Sequence, residues 1–154
     1  MHVRLIAVGD RQPVWVDAAF SEYAARLPRQ WRFRVDEVGT AQRTKSGGDA
    51  RGSEAGKLLA RLKPGEFVVL LDEQGRQFTS RALAGQLEGW LAAGRDLAFV
   101  IGGPDGVAGS VRERADLAWS LSKLTLPHGL ARVLFAEQIY RAWSLTAGHP
   151  YHRD

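Results

Sequence analysis

Residues 67–103 read FVVLLDEQGRQFTSRALAGQLEGWLAAGRDLAFVIGG, and this stretch sets the architecture. Phe67 to Leu71 is an unbroken apolar run, the mark of a central strand buried in a parallel sheet. Leu83, Leu87, Trp90 and Leu91 then recur at helical spacing behind a capping residue, either Thr79 or Ser80. Leu97 to Ile101 is a second buried strand and ends in Gly102-Gly103. Strands and helices in alternation give the α/β class with a mostly parallel sheet.

The same alternation extends in both directions. Val3 to Val8 predicts a buried strand ending at Gly9, and Pro13 opens a helix carrying Trp15, Ala18, Ala19, Tyr23 and Leu27 until Pro28. Trp31 to Val38 alternates and predicts a half-exposed strand. Residues 39–52 are Gly-rich, carry Arg43, Lys45 and Arg51, and predict a loop. Ser53 then caps a helix through Leu62, broken by Pro64-Gly65. Ser110 and Glu113 have capping-box spacing for a short helix, and Trp119 to Leu126 predicts a strand. No repeat or linker divides the chain, so residues 1–154 form a single domain.

The final helix runs from about Leu130 to Thr146, with Gly148 at its C-terminal cap. Its polar positions (Glu137, Arg141, Ser144, Gly148) form one stripe, while Leu134, Phe135, Ile139, Tyr140 and Trp143 are apolar. A helix apolar over so much of its circumference needs cover on more than one side, and a second copy of the chain is the simplest cover. The chain is therefore expected to be a homodimer.

Composition narrows the class. Hydrophobic residues at 45% and charged residues at 25% argue for a folded domain rather than disorder. Lys+Arg 21 against Asp+Glu 17 leaves a net charge of +4, most of it from arginine, which modestly favours an anionic partner such as nucleic acid. No cysteine is present, which removes disulfides, thiolate nucleophiles and Cys-ligated zinc. The early charges of MHVRLIAVGDRQP do not suit a signal peptide, and no run approaches the ~18 apolar residues of a membrane span. A soluble cytoplasmic protein, without membrane or metal, is expected.

Ligands of open α/β sheets bind beyond the carboxyl ends of the strands. Three segments end there: Leu70 to Gly75, Ile101 to Gly106, and Ser122 to Pro127. Glycines directly after a buried strand let a ligand lie against the backbone. The spacing is neither a dinucleotide fingerprint nor a phosphate-binding loop, so a phosphate-cradled cofactor is disfavoured. For GGPDG taken alone, a strand-ending turn ranks ahead of a site. His149 and His152 lack further ligands for a metal, and His128 is read as satisfying a backbone group. No serine sits in a nucleophile-elbow context. The C-terminal His149-Pro150-Tyr151-His152-Arg153 gathers two imidazoles, a phenol and a guanidinium, too much chemistry for a fraying end.

GGPDG, SKLTLPH, the R-x-x-x-x-EQ-x-YRAWS helix and the terminal HPYH, taken in that order, resemble the large-subunit ribosomal RNA methyltransferase H family of the SPOUT class. LIAVG, Trp15, Glu22-Tyr23 and Leu71-Asp72-Glu73 fit the same pattern, so the likeness spans nearly the whole chain; Asp105 stands where Glu is common. The resemblance implies a trefoil-knotted α/β fold, which strand pattern alone would never suggest. It also implies a homodimer, S-adenosylmethionine as methyl donor, and N3 of a pseudouridine in the helix 69 loop of 23S rRNA as target, modified on the assembled ribosome. By motif, Leu71, Gly102, Gly103, Ser122, Lys123, Leu124, Thr125, Leu126 and Pro127 would hold the donor.

The imide proton of the target nitrogen must leave, so a base or a cationic environment is required. Arg153 and His152 are expected to supply that environment and Tyr151 to orient the base, on a tail held over the partner protomer's cleft. Asp105, Glu137 and water remain alternatives as proton acceptor. Two other readings stand beside this one: methylation of a different RNA site, and a ribosome-binding module without the reaction. The second has no reason to keep Gly102-Gly103 and Ser122 to Pro127 together.

Overall fold

The computed structural model describes residues 1–9, 11–39, 50–104 and 106–152, with backbone alone at residues 50 and 51. Five strands form one sheet: β1 (Val3–Val8), β2 (Arg34–Val38), β3 (Phe67–Gln77), β4 (Leu97–Ile101) and β5 (Leu117–Ser120). Their order is β2-β1-β4-β3-β5, and every pairing is parallel. Helices α1 (Val14–Ala24), α3 (Ser80–Ala92) and α5 (His128–Ala147) cover one face, and α2 (Ala50–Arg61) and α4 (Gly109–Arg114) the other.

This double cover explains why β1 and β4 are apolar without alternation: each of their residues is buried on one face or the other, Arg4 included. Beneath α3 and α5, Phe99 lies 4.9 Å from Phe135 and about 6 Å from Trp90 and Trp119, all in tilted or edge-on contacts. Beneath α2 and α4, Leu58 and Val111 close over Ile6, Val8, Leu70 and Val100. At the amino ends of the strands, buried Arg4 is gripped by Glu66 (2.6 and 3.0 Å) and Asp36 (2.8 Å). Its charge is thus paired where water is excluded, and β1 is tied to β2 and to the turn before β3.

The elements depart from the sequence expectations where local hydrogen bonding overrides pattern. β3 does not end at Leu71: both Leu71 and Arg76 pair with Trp119, so residues 72–75 form a bulge between them. Gly75 permits it, because a Cβ there would stand 2.6–2.7 Å from the Ala118–Trp119 backbone. β5 stops at Ser120 rather than at Leu126. Ser120 Oγ donates to the Ser122 carbonyl (2.9 Å) and the Leu124 N–H donates to Ser122 Oγ (2.9 Å), turning the chain out of the ladder. β2 starts at Arg34, since Pro28 begins a short 3-10 turn over Arg29–Trp31 and Arg32 takes φ 49°.

Capping differs as well. Thr79 caps α3, its Oγ1 accepting the Ala82 N–H at 3.1 Å. Ser53 lies inside α2, which begins at Ala50, and Ser110 lies inside α4 behind an Ala108 cap, so neither expected cap forms. Arg43 and Lys45 lie outside the described residues.

α5 is covered largely by its own chain. Phe135, Ile139 and Ala142 face the sheet, with α1 and α3 on either side. The polar stripe is not a solvent face: Ser144 is fully buried and the C-terminal tail lies along Glu137, Arg141 and Ser144. What is left over is Leu130 and Leu134, 40% and 38% exposed. No helix among the described residues is long and apolar enough to cross a membrane.

Candidate functional site

A cleft of about 330 Å³ opens beyond the carboxyl ends of β3, β4 and β5, a volume suited to a small molecule. Three stretches of chain wall it: the β3 bulge from Leu71 to Gln74, the turn after β4 from Ile101 to Val107, and the loop after β5 from Leu121 to Leu126. His128 and Ala131 of α5 and Arg112 of α4 complete the lining. The bulge, rather than any regular strand, therefore brings Asp72 and Glu73 to the cleft.

Seven of the nine residues assigned to donor binding meet here: Leu71, Gly102, Gly103, Ser122, Leu124, Thr125 and Leu126. Lys123 and Pro127 belong to the same loop but do not line the cleft; both are exposed, and Pro127 is the N-cap of α5. Gly102 and Gly103 are glycines for an internal reason. A Cβ on Gly102 would meet Val107 Cγ1 at 2.4 Å, and one on Gly103 would meet the Glu54 carboxylate at 2.9 Å. Gly106 of the same turn, at φ 81°, has open space around it.

Two side-chain bridges span the cleft. Thr125 Oγ1 donates to Glu73 Oε2 at 3.0 Å, joining the β5 loop to the β3 bulge. Arg112 pairs with Asp72, joining α4 to the same bulge. Neither Arg112 nor His128 was singled out as a site residue. Arg112 sits on a helix of six residues whose pattern gives no hint of the cleft. The hint for His128 was its place directly after Pro127, at the first turn of a helix.

The tail is built with equal care and lies elsewhere. Tyr151 donates its hydroxyl to Glu137 Oε1 at 2.9 Å, packs tilted against Tyr140 with ring centroids 4.5 Å apart, and lies under the Arg141 guanidinium. His152 Nδ1 is 3.3 Å from Ser144 Oγ, and the His149 N–H donates to the Ser144 carbonyl at 2.9 Å. Burial, then the adjoining Glu137 carboxylate, pushes the Tyr151 phenol well above its usual range, so it stays a donor. Glu137 is engaged in holding the tail: Oε1 accepts from Arg141 and Tyr151, and Oε2 from Gln138. Arg153 and Asp105 lie outside the described residues.

Cleft and tail meet opposite ends of α5. Ala131 lines the cleft, whereas Glu137 to Ser144 hold the tail, roughly 9 to 20 Å further along at 1.5 Å per residue. Tyr151 and His152 are thus brought together with each other but not with their own protomer's cleft. Among the described residues, no group of three or more His, Asp or Glu is placed to hold a metal ion.

Comparison with known proteins agrees with this geometry. The family described as "Predicted SPOUT methyltransferase" matches residues 1–152. A protein of Thioalkalivibrio sulfidiphilus named ribosomal RNA large subunit methyltransferase H is 49% identical, with both chains covered completely. Proteins of the same name from Laribacter hongkongensis and Hydrogenovibrio crunogenus are 47% and 44% identical, again over the whole of both chains. A parallel five-stranded sheet, a cleft at its carboxyl end and full-length likeness converge on one conclusion: the chain belongs to the SPOUT methyltransferase family.

Proposed function

We propose that this protein methylates N3 of a pseudouridine in the helix 69 loop of 23S rRNA, on the assembled ribosome, with S-adenosylmethionine as donor. The observation that carries the reading is the convergence of the β3 bulge, the Gly102-Gly103 turn and the Ser122–Leu126 loop on one cleft. The full-length likeness to proteins named ribosomal RNA large subunit methyltransferase H supports the ribosomal substrate. A ribosomal substrate is in keeping with a cytoplasmic protein.

The cleft fits the donor's chemistry. It has room for a nucleoside with a short polar chain, its walls are mostly main chain and aliphatic carbon, and Glu73 presents a carboxylate to it while Asp72 is paired with Arg112. When bound, S-adenosylmethionine supplies a methyl group on a sulfonium. Leu71, Leu124 and Leu126 give apolar walls, while the glycine turn and the serine-turned loop offer main-chain groups. Holding donor and acceptor in line is most of what such a reaction needs.

The tail supplies the rest from the partner protomer. Tyr151, fixed by Glu137 as a hydrogen-bond donor, orients the base, and His152 with Arg153 stabilises the imide anion as its proton leaves. Since the tail lies well away from its own cleft, this chemistry requires a homodimer. Val14 and Trp15 of α1, 85% and 55% exposed, stand beside the first turn of α5, where Gly129 packs on Val16. With Leu130 and Leu134 they form an apolar surface suited to a second copy. The knotted C-terminal half belongs to the same reading.

The test is methyl transfer from labelled S-adenosylmethionine into ribosomes lacking the modification, with mass mapping of the rRNA. Label at N3 of a pseudouridine in helix 69 is the expected result. Label at another nucleotide keeps the enzyme and replaces the substrate. Intact ribosomes should greatly outperform free rRNA, and equal rates would show that the assembled surface is not what is recognised.

A further inference from the structure

Behind the cleft lies a buried polar cluster that the reaction, as described, does not use. Arg132 is 4% exposed, yet all three guanidinium nitrogens are engaged. Nη1 donates to Glu37 Oε1 of β2 at 2.8 Å, Nη2 to the Gly9 carbonyl at 3.3 Å, and Nε to His128 Nε2 at 2.8 Å. The last contact fixes a tautomer. A guanidinium has only donors, so His128 Nε2 must be the unprotonated nitrogen and the ring proton sits on Nδ1. The imidazole and Gly102 line the same wall of the cleft, and Nδ1–H is the donor left to face the Gly102 carbonyl. With Nε2 taken by Arg132 and the ring proton on Nδ1, His128 has no free acceptor, so it is not the proton acceptor despite lining the cleft.

We propose that His128 is a positioning residue, locked by Arg132 as the neutral Nδ1–H tautomer so that it holds the Gly102 turn in the shape that binds donor. The role rests on the reading of the cleft as the S-adenosylmethionine site. Burial first, and then the Arg132 charge, lower the His128 pKa from its usual value near 6.5. Glu37 from β2 opposes them weakly, while Asp72 and Arg112 on the far wall neutralise one another. Protonation would set a cation against Arg132 and remove the Nε2 acceptor, so the turn is released only in acid.

Two measurements on the full-length protein test this. Ring nitrogen NMR should show His128 as the Nδ1–H tautomer, titrating below an ordinary imidazole, with its titration moving upward once Arg132 becomes Met. In the same spectra His128→Ala should move the Gly103 amide resonance, while His128→Asn, which keeps a donor at the Nδ1 position, should largely restore it. An Nε2–H tautomer, or a Gly103 resonance indifferent to both variants, overturns the proposal without reference to any ligand. Calorimetry with S-adenosylmethionine should then show about tenfold weaker binding for His128→Ala, recovery in His128→Asn, and an acid-side loss of affinity in the wild type that His128→Asn lacks. Equal binding by wild type and His128→Ala also overturns it. A wild-type protein that binds no donor, yet keeps the tautomer and the Gly103 response, sinks the reading of the cleft and leaves the lock standing.

Discussion

Gly75 shows how much a single missing side chain can decide. Its would-be Cβ meets backbone atoms of Ala118 and Trp119, which cannot rotate aside as a side chain would. Gly75→Ala should therefore force β3 and β5 apart at the bulge, costing about 1–3 kcal/mol in urea unfolding and lowering donor affinity about tenfold. Unchanged stability with unchanged affinity would mean the bulge accommodates a methyl group. The sequence put Gly75 at a strand end without indicating this contact, because the strand it touches lies more than 40 residues away. For the same reason Gly102 and Gly103 were assigned correctly to the turn and for an incomplete cause: their neighbours Val107 and Glu54 are placed by other elements. The choice between Thr79 and Ser80 as cap was likewise undecidable from spacing. Ser80 Oγ is drawn off instead to Gln138 Oε1 at 2.9 Å.

At the scale of the element, α5 does three jobs along its length: its first turn lines the cleft, its middle packs the aromatic core, and its last turns seat the tail. The periodicity revealed a helix apolar over an unusual arc, and that was sound. It did not reveal that α1, α3 and the tail would supply most of the cover, since periodicity records what must be buried and not by what. The tail's attachment has a pH consequence. Tyr151 has a higher pKa folded than unfolded, so its contribution is complete below about pH 10 and is lost as pH rises beyond that. Wild type should lose stability as the pH is raised above about 10, and Tyr151→Phe should lose less over that range. Identical alkaline profiles would show that the phenol is not held as described. Of the strands, β1 and β4 were legible to the residue and the other three were not; β5 was overrun because Leu121, Leu124 and Leu126 look like strand residues until the Ser122 turns are known.

For the whole molecule, a cleft at one end of α5 and a tail at the other make a divided site testable by mixing. Arg153→Ala should retain donor binding and lose transfer, and Thr125→Arg should block the cleft; each homodimer is then inactive. Co-folded at equal amounts, the two should recover about a quarter of wild-type activity, because half the dimers are mixed and each has one intact site. No recovery would place tail and cleft on the same protomer.

The sheet order carries a consequence of another kind. Val3 of β1 pairs with Leu97 of β4, so the first strand made waits for more than ninety further residues before one neighbour exists. β4 itself is flanked by β1 and β3, and β5 and α5 come last. While the chain is being synthesised, the apolar β1 and β3 have no completed sheet to enter and must remain exposed. Acquisition of the native sheet is therefore slow, dominated by long-range closure. A chain interrupted before β4 leaves β1 and β3 without their shared neighbour and forms no smaller domain.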